Sequence, residues 1–177
     1  DYAGNVHDHL EKQFQTISQI MKRKWPECAY IAYFQANTNT YGPLDKIKNM
    51  IQPFLEKEDI KGIALATRPD CLNEEIVCYL SEVNQTKDVY IELGLQTIHD
   101  ETSKLINRGH TYQEFLDGLS LCRQYNLEVC VHIINGLPFE TKEMMIETAK
   151  TLGQLDIQAL KIHMLFVVKN TKLQQMY

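Results

Sequence analysis

The residues with the greatest potential for chemistry stand at the ends of apolar segments, most clearly in the stretch Asp88–Thr111. Residues 89–95 are rich in β-branched and apolar side chains, as in a buried strand. The same strand carries Glu92 and leads into Gln96, which share one face because successive side chains alternate. Polar groups converging at the end of a buried strand are poor core material, so they indicate a binding site.

The stretch ends in a corner formed by Arg108, Gly109 and His110. Glycine permits a backbone conformation that other residues resist, and arginine can hold a carboxylate through several N–H donors. A structural salt bridge or a helix C-terminal contact explains Arg108 equally well. Likewise, Gln96 could bind a ligand or cap the helical segment that begins near Asp100.

Each of the other predicted strands also brings polar residues toward its C-terminal end. These are Asn37, Thr38, Asn39 and Thr40, then Thr67 and Arg68, then His132 and Asn135, and finally Lys161 and His163. In α/β sheets, ligands bind beyond the C-terminal ends of the strands. An unpaired buried polar group costs about 1–3 kcal/mol, so these residues together predict a polar ligand or a water-filled cleft.

Hydrophobic spacing predicts five strands that alternate with helices, in units of about 30 residues. The predicted strands are 29–34, 62–66, 89–95, 129–134 and 159–165, and the main helices are 10–24, 47–55, 73–83, 111–125 and 141–152, with a final helix from Thr171. Pro53 predicts a break or kink near Ile51. The alternation is typical of a parallel sheet with right-handed crossovers, and 177 residues are too few for an eight-unit barrel, which takes about 250.

Bulk composition describes an ordinary globular domain, with 23% charged and 44% hydrophobic residues. The net charge of −5 does not favour a broad nucleic-acid-binding surface. Neither an apolar run long enough to span a membrane nor a signal-peptide pattern is found, so a cytoplasmic location is expected. The five cysteines are odd in number and scattered, which is unlike a secreted disulfide framework and more like small buried side chains.

Several motifs resemble those of the radical S-adenosylmethionine (SAM) superfamily. The segments are ELGLQT, INRGHT and HIINGLPFET, together with YIAYFQANTNTY, ATRPDCL, the initial DYAGN and the later KIHMLF. Similar sequences occur in the Elongator catalytic subunit, the oxygen-independent coproporphyrinogen oxidases and the uncharacterised bacterial YhcC-like branch. The resemblance implies a three-quarter (β/α) barrel of six units, here an incomplete, TIM-like α/β barrel with about five parallel strands.

The resemblance also implies roles for particular residues. Gln96 and Arg108 match residues that contact SAM, and His132 matches one that approaches its ribose. Asn37 and Thr38 would lie near the methionine part of SAM, while Asn135 and Gly136 belong to the segment that faces its adenine. One departure concerns Ala66, which stands where coproporphyrinogen oxidases have a SAM-contacting glutamate.

The cofactors implied are SAM and a [4Fe–4S] cluster held by a C-x3-C-x2-C loop, which this sequence lacks. We therefore expect residues 1–177 to be a radical SAM core domain without its first strand and cluster loop, with no metal ligands, and inactive alone. An intact form would generate a 5′-deoxyadenosyl radical that acts on an unknown substrate. Two alternatives remain: a Schiff-base lyase or aldolase that uses Lys161, or a non-catalytic binding module. An exposed edge strand could pair with a second chain.

Overall fold

The computed structural model describes residues 9–176 and contains one five-stranded parallel sheet. Its strands are β1 (Tyr30–Phe34), β2 (Ile60–Thr67), β3 (Asp88–Gln96), β4 (Glu128–Asn135) and β5 (Ala159–Met164). The helices are α1 (Leu10–Lys24), α2 (Leu44–Leu55), α3 (Glu74–Val83), α4 (Asp100–Leu105), α5 (Tyr112–Gln124) and α6 (Lys142–Leu152). The initial DYAGN segment lies outside the described residues.

The strands stand side by side in chain order, and every neighbouring pair is parallel. Each connection carries a helix, as parallel neighbours require. The result is an open half-barrel, so the prediction of a partial TIM-like barrel is confirmed. All five C-terminal strand ends lie at the same rim, where ligands bind in such folds.

The two faces of the sheet differ in chemistry because the side chains alternate. The helix-facing side forms the core, in which Leu65, Ile91, Leu93 and Val131 are fully buried. The inner face carries polar residues or small residues instead. These include Tyr33, Ala66, Glu92, Gly94, Cys130, His132, Lys161 and His163. The inner face therefore forms the wall of a polar cleft.

Helix starts follow the capping rules that the sequence displays. Asn73 accepts a hydrogen bond from the backbone N–H of Ile76, and Thr141 accepts one from Met144. Thr111 and Glu114 form the expected capping box at the start of α5. These caps confirm the predicted starts of three helices and fix the loops that lead into them from the strands.

The break expected near Ile51 is wrong, because α2 continues to Leu55 with Pro53 inside it. Proline in a helix interior costs about 3 kcal/mol through its missing N–H and its clash with the preceding turn. Here it lies in the last turn, and both Ile51 and Phe54 are buried against the sheet. Their burial offsets the cost of Pro53 at the end of the helix.

The C-terminal helix expected from Thr171 is only a short 3₁₀ segment, Leu173–Met176. Between residues 9 and 176, every helix is too short or too polar to cross a lipid bilayer.

Candidate functional site

A cleft of about 400 Å³ lies at the C-terminal rim of the sheet, within the usual size range of small-molecule sites. Five of the predicted site residues line it, namely Asn37, Thr38, Gln96, Arg108 and His132. A larger depression of about 580 Å³ lies outside the sheet between α1 and α2, walled by residues such as Gln52 and Lys57. We place the site in the rim cleft because polar groups from β2, β3 and β4 converge there.

Gln96 ends β3 in the left-handed region, with φ of 68°. The pairing of β3 with β4 shifts register between Gly94 and Gln96, so Gln96 leaves the regular strand. Its carboxamide nitrogen lies 3.0 Å from where a Cβ on Gly94 would stand. Gly94 therefore leaves room for the amide, and a strained non-glycine backbone of this kind is typical of functional positions.

Arg108 is buried, and its guanidinium makes five hydrogen bonds within the chain. Nη1 donates to the carbonyls of Leu95 at 2.7 Å and Thr97 at 2.5 Å. Nε and Nη2 donate to the carbonyl of His110 at 2.9 and 2.7 Å, and Nη2 also contacts Asp100 at 3.2 Å. Because a guanidinium has five N–H donors, this set occupies all of them. Arg108 therefore lines the cleft, but all its donors are used to hold together the loops around it.

The loop after β1 is fastened at the same rim. The Asn39 amide donates to the carbonyls of Phe34 at 2.7 Å and Ala66 at 2.8 Å. The Thr40 and Thr67 hydroxyls, both buried, lie 2.5 Å apart. These contacts hold the preceding residues, including Asn37 in a left-handed conformation with φ of 63°, at the mouth of the cleft.

Asn135 and Gly136 are not among the residues that line the cleft. Asn135 pairs with Met164 of β5, and alternation gives it the face opposite to His132. Gly136 has φ of 83°, which favours glycine in the turn that leaves β4. The following segment is tied to the end of β3, because the Thr97 hydroxyl donates to Glu140 at 2.5 Å.

A hydrogen-bonded network centred on Glu92 occupies the inner face and forms part of the cleft wall. The buried Glu92 carboxylate lies 2.8 Å from Nε2 of His132 and accepts a bond from Lys161 at 2.5 Å. His163 continues the network, with Nε2 3.1 Å from Nδ1 of His132. The Lys161 ammonium also lies 4.5 Å from the centre of the Tyr33 ring. Four strands thus meet in this network.

The network shifts the titration of its members. Burial raises the pKa of Glu92, but hydrogen bonds from Lys161, Tyr33 and His132 outweigh burial, so its net pKa is lowered. Burial lowers the pKa of His132, although Glu92 opposes this. The Tyr33 pKa is raised by burial and by its hydrogen bond to Glu92. Near neutral pH the network therefore holds a carboxylate that is bonded to Lys161 and a neutral His132.

Donor atoms of Glu92, Cys130 and His132 lie within 4.8 Å of one another, the one grouping of potential metal-ligating side chains found for residues 9–176. Both Glu92 oxygens are engaged, by Lys161 and His132, so hydrogen bonds already satisfy this group. Within the same residues, no three cysteines lie close enough to hold an iron–sulfur cluster. The cysteines of this sequence do not fit such a cluster.

Two features of the site are not indicated by the sequence pattern. The first is the contact of Tyr33, on β1, with Glu92. Tyr33 lies between Ala32 and Phe34, which face the core, so alternation along the strand could have placed it on the inner face. The second is the environment of His110, which is buried while neither of its ring nitrogens has a hydrogen-bond partner in the described chain. Such an environment depends on packing between distant segments, which local spacing does not report.

Comparison with known proteins identifies relatives across the chain. Residues 7–152 match the family model of the Radical SAM superfamily. The uncharacterised protein YtqA of Bacillus subtilis is 45% identical over the whole chain and 55% of its own length. Protein YhcC of Escherichia coli is 37% identical over 80% of this chain and 46% of its own length. The chain thus spans about half the length of these curated relatives.

A solved structure of the archaeal Elp3 from Methanocaldococcus infernus has a TM-score of 0.79 with this chain. The match covers 94% of this chain and 44% of that one, at 21% identity, so it supports the fold alone. The match of the family model carries the assignment and confirms the resemblance seen in the sequence. The chain therefore belongs to the radical SAM superfamily.

Proposed function

We propose that this chain forms the SAM-binding part of a radical SAM enzyme. The observation that carries the proposal is the rim cleft, in which Gln96 and His132 come from neighbouring strands beside the loop of Asn37 and Thr38. The cleft is large enough for part of a nucleoside ligand and is lined by side chains that bind hydroxyl and amide groups. When bound, SAM and the superfamily's [4Fe–4S] cluster supply the 5′-deoxyadenosyl radical chemistry.

The residues of the cleft have distinct proposed roles. Gln96 binds a polar group of SAM with its carboxamide, and His132 approaches the ribose while Glu92 orients its ring. Arg108 positions Gln96, because it bonds the carbonyls on either side of it. Asn135 and Gly136 directly follow Ile134, which lines the cleft, and we propose that they contribute through their backbone.

The proposal is tested on the intact enzyme that contains this chain, purified anaerobically with its cluster assembled and supplied with SAM and dithionite. Formation of 5′-deoxyadenosine, followed by chromatography, is the expected result. Gln96→Ala and His132→Ala should each reduce it strongly, whereas the exposed Arg23→Ala should not. Intact wild-type enzyme that holds a full cluster but yields no 5′-deoxyadenosine contradicts the proposal.

We further propose that residues 1–177 are a radical SAM core domain without its first strand and cluster loop. The sequence lacks the three-cysteine loop, and the described cysteines stay apart. Iron and sulfide analysis of the reconstituted 177-residue chain should then find no stoichiometric cluster. A stoichiometric [4Fe–4S] cluster in this chain refutes this part of the proposal.

The second candidate is a Schiff-base lyase or aldolase that uses Lys161. Its position on the inner face beside His163 favours this alternative, since both face the barrel interior. Against it, the Lys161 nitrogen is 2.5 Å from Glu92 and is engaged in a salt bridge. Borohydride trapping with simple aldehydes or ketones separates the two functions, because modification at Lys161 supports the lyase alone.

A third candidate is a binding module that assembles through its sheet edge. β5 has one unpaired edge, and its outer face exposes Ile162 and Met164. We propose that a second copy of the chain could pair there, which light scattering after size-exclusion chromatography tests. A dimer disrupted by Ile162→Lys, without binding of SAM or S-adenosylhomocysteine, favours this candidate, and a monomer that binds either ligand contradicts it.

The cellular setting that we infer is the cytoplasm. The cysteines of the described chain are all free, as expected in a reducing compartment. The net charge of −5 makes nucleic acid an unnecessary partner for this chain. A small-molecule cofactor and an unidentified substrate are the partners that the proposal requires.

A further inference from the structure

Arg68 stands at the end of β2 and lines the same cleft as Gln96 and His132. Its side chain is 41% exposed, in contrast to the buried Arg108. Its guanidinium lies over Gly109, where Nη1 is 3.0 Å from the position that a Cβ would take. Gly109, with φ of 86°, therefore provides the flat surface that lets this guanidinium reach the cleft.

The hydrogen bonds of Arg68 leave part of its guanidinium unused. Nε donates to Asp70 at 2.9 Å, and Nη2 donates to Asp70 at 2.5 Å and to the Gly109 carbonyl at 2.8 Å. Residues 9–176 provide no hydrogen-bond acceptor for its Nη1. Two N–H donors of a permanently charged group thus remain for a ligand, whereas Arg108 has none left.

The counter-ion of Arg68 has a second partner within reach. Asp70 Oδ1 lies 3.8 Å from Nδ1 of His110, beyond hydrogen-bonding distance. The His110 side chain is only 1% exposed, and neither of its ring nitrogens has a hydrogen-bond partner in the described part of the chain. A buried imidazole without a hydrogen bond destabilises the fold, so a small displacement of Asp70 toward His110 would supply the missing hydrogen bond.

We propose that Arg68 is a carboxylate-binding residue of the cleft, with Asp70 as a displaceable counter-ion that His110 receives. In this exchange a ligand carboxylate accepts hydrogen bonds from Nη1 and Nη2 of Arg68. Asp70 gives up one bond to Arg68 and accepts one from His110 Nδ1–H instead. The number of paired groups rises, because His110 gains its missing partner.

The cofactor's amino-acid end is the carboxylate that the observations favour. Asn37 and Thr38, which the family resemblance predicts to lie near the methionine part of SAM, line the cleft together with Arg68. This identification rests on the proposed function, whereas the carboxylate site itself does not. A carboxylate on the substrate is the other source of the same chemistry.

Calorimetry with two stable nucleosides tests the cofactor as the source. S-Adenosylhomocysteine carries the amino-acid carboxylate, and 5′-methylthioadenosine lacks it. Arg68→Gln should weaken binding of S-adenosylhomocysteine about tenfold or more, the usual size of a lost charge-assisted bond, and leave 5′-methylthioadenosine within about twofold. Arg123→Gln removes another arginine–aspartate pair, at 2.8 Å from Asp156, and should change neither affinity.

The opposite variant distinguishes binding from a merely structural salt bridge. Asp70→Asn removes the competing charge, so affinity for S-adenosylhomocysteine should rise about two- to fivefold if Arg68 binds the carboxylate. If the pair only supports the fold, both variants break it and both lower the affinity. Affinities that fall together, for both nucleosides and in both variants, overturn the proposal.

A free dicarboxylate tests the site independently of SAM. Succinate is titrated into wild-type protein while the Nε–H signal of Arg68 is followed by nuclear magnetic resonance. If Arg68→Gln leaves both nucleoside affinities unchanged, a saturable succinate shift of this signal in the wild type, together with loss of succinate binding by calorimetry in Arg68→Gln, assigns the carboxylate to the substrate. Unchanged nucleoside affinities without such a shift overturn the proposal, even where 5′-methylthioadenosine binds normally and supports the proposed function.

Discussion

Replacing Arg108 by lysine separates a positioning role from direct ligand binding. Lysine keeps the positive charge but offers three N–H donors on one atom instead of five on a planar fork. It cannot reach the carbonyls of Leu95, Thr97 and His110 together from one nitrogen, so at least two of the five bonds in the structure are lost. The change therefore acts on the connection between β3 and the corner before α5.

The expected magnitude follows from the burial of these carbonyls. The Leu95 carbonyl keeps a bond from the Thr97 N–H, so the Thr97 and His110 carbonyls are the acceptors that depend on Arg108. A buried acceptor left without a partner costs about 1–3 kcal/mol, so the loss of these two bonds predicts about 3 kcal/mol of destabilisation. For a chain of this size that corresponds to a fall in Tm of about 6–12 °C. A ligand contact alone, at a site whose own bonds stay intact, would leave the stability of the free protein nearly unchanged.

Urea denaturation followed by circular dichroism measures the loss directly. Arg23→Lys is the matched control, since Arg23 is exposed in the last turn of α1, and it should change stability by less than about 0.5 kcal/mol. If the free energy of unfolding of Arg108→Lys stays within about 0.5 kcal/mol of the wild type but the variant binds S-adenosylhomocysteine more weakly, Arg108 contacts the ligand and the positioning role is refuted.

Three further outcomes follow from the same contacts. Burial and the nearby Arg108 lower the pKa of His110 to about 4. Between pH 6.5 and pH 4, His110 is therefore protonated in the unfolded chain but neutral in the folded chain. Stability should fall by up to about 1.4 kcal/mol per pH unit from pH 6.5 toward pH 4, and in His110→Phe, followed by urea titration, this slope should flatten. Folding lowers the pKa of Glu92, so Glu92 contributes fully to stability above the carboxyl pKa of the unfolded chain, and this contribution is lost as pH falls through the pKa of the folded chain. Glu92→Gln should weaken this acid dependence of stability, and an unchanged dependence of stability on pH contradicts the prediction. Gly109→Ala should cost about 1–3 kcal/mol because of its positive φ and the contact with Arg68, whereas Gly153→Ala, with ordinary φ, should cost less.

The sheet and its helices were accessible from sequence because local signals agreed with one another. Apolar runs of strand length alternated with amphipathic segments, and Asn73 and Thr141 marked helix starts that the structure contains. Alternation along β4 and β5 also predicted that Lys161 and His163 share a face, and they do. The break predicted from Pro53 is absent because burial of Ile51 and Phe54 offsets its cost, and that burial depends on strands that are distant in sequence.

The hydrogen bonds of the site were harder to predict from sequence than the fold, because they depend on which polar groups already bond to one another. Sequence alone left Arg108 divided between ligand contact and salt bridge, and only the geometry shows its five bonds inside the chain. Asn135 was expected at the site from its place in the chain, but strand alternation gives it the other face. The unpaired His110 similarly reflects packing between segments.

The central claim is that polar side chains at the C-terminal ends of successive parallel strands form the SAM site. A crystal structure of the protein with S-adenosylhomocysteine tests it most directly. We expect density in the rim cleft, with the ribose beside His132 and a polar atom of the ligand on Gln96. Ligand bound at the opposite end of the sheet, or in the depression between α1 and α2, would contradict it.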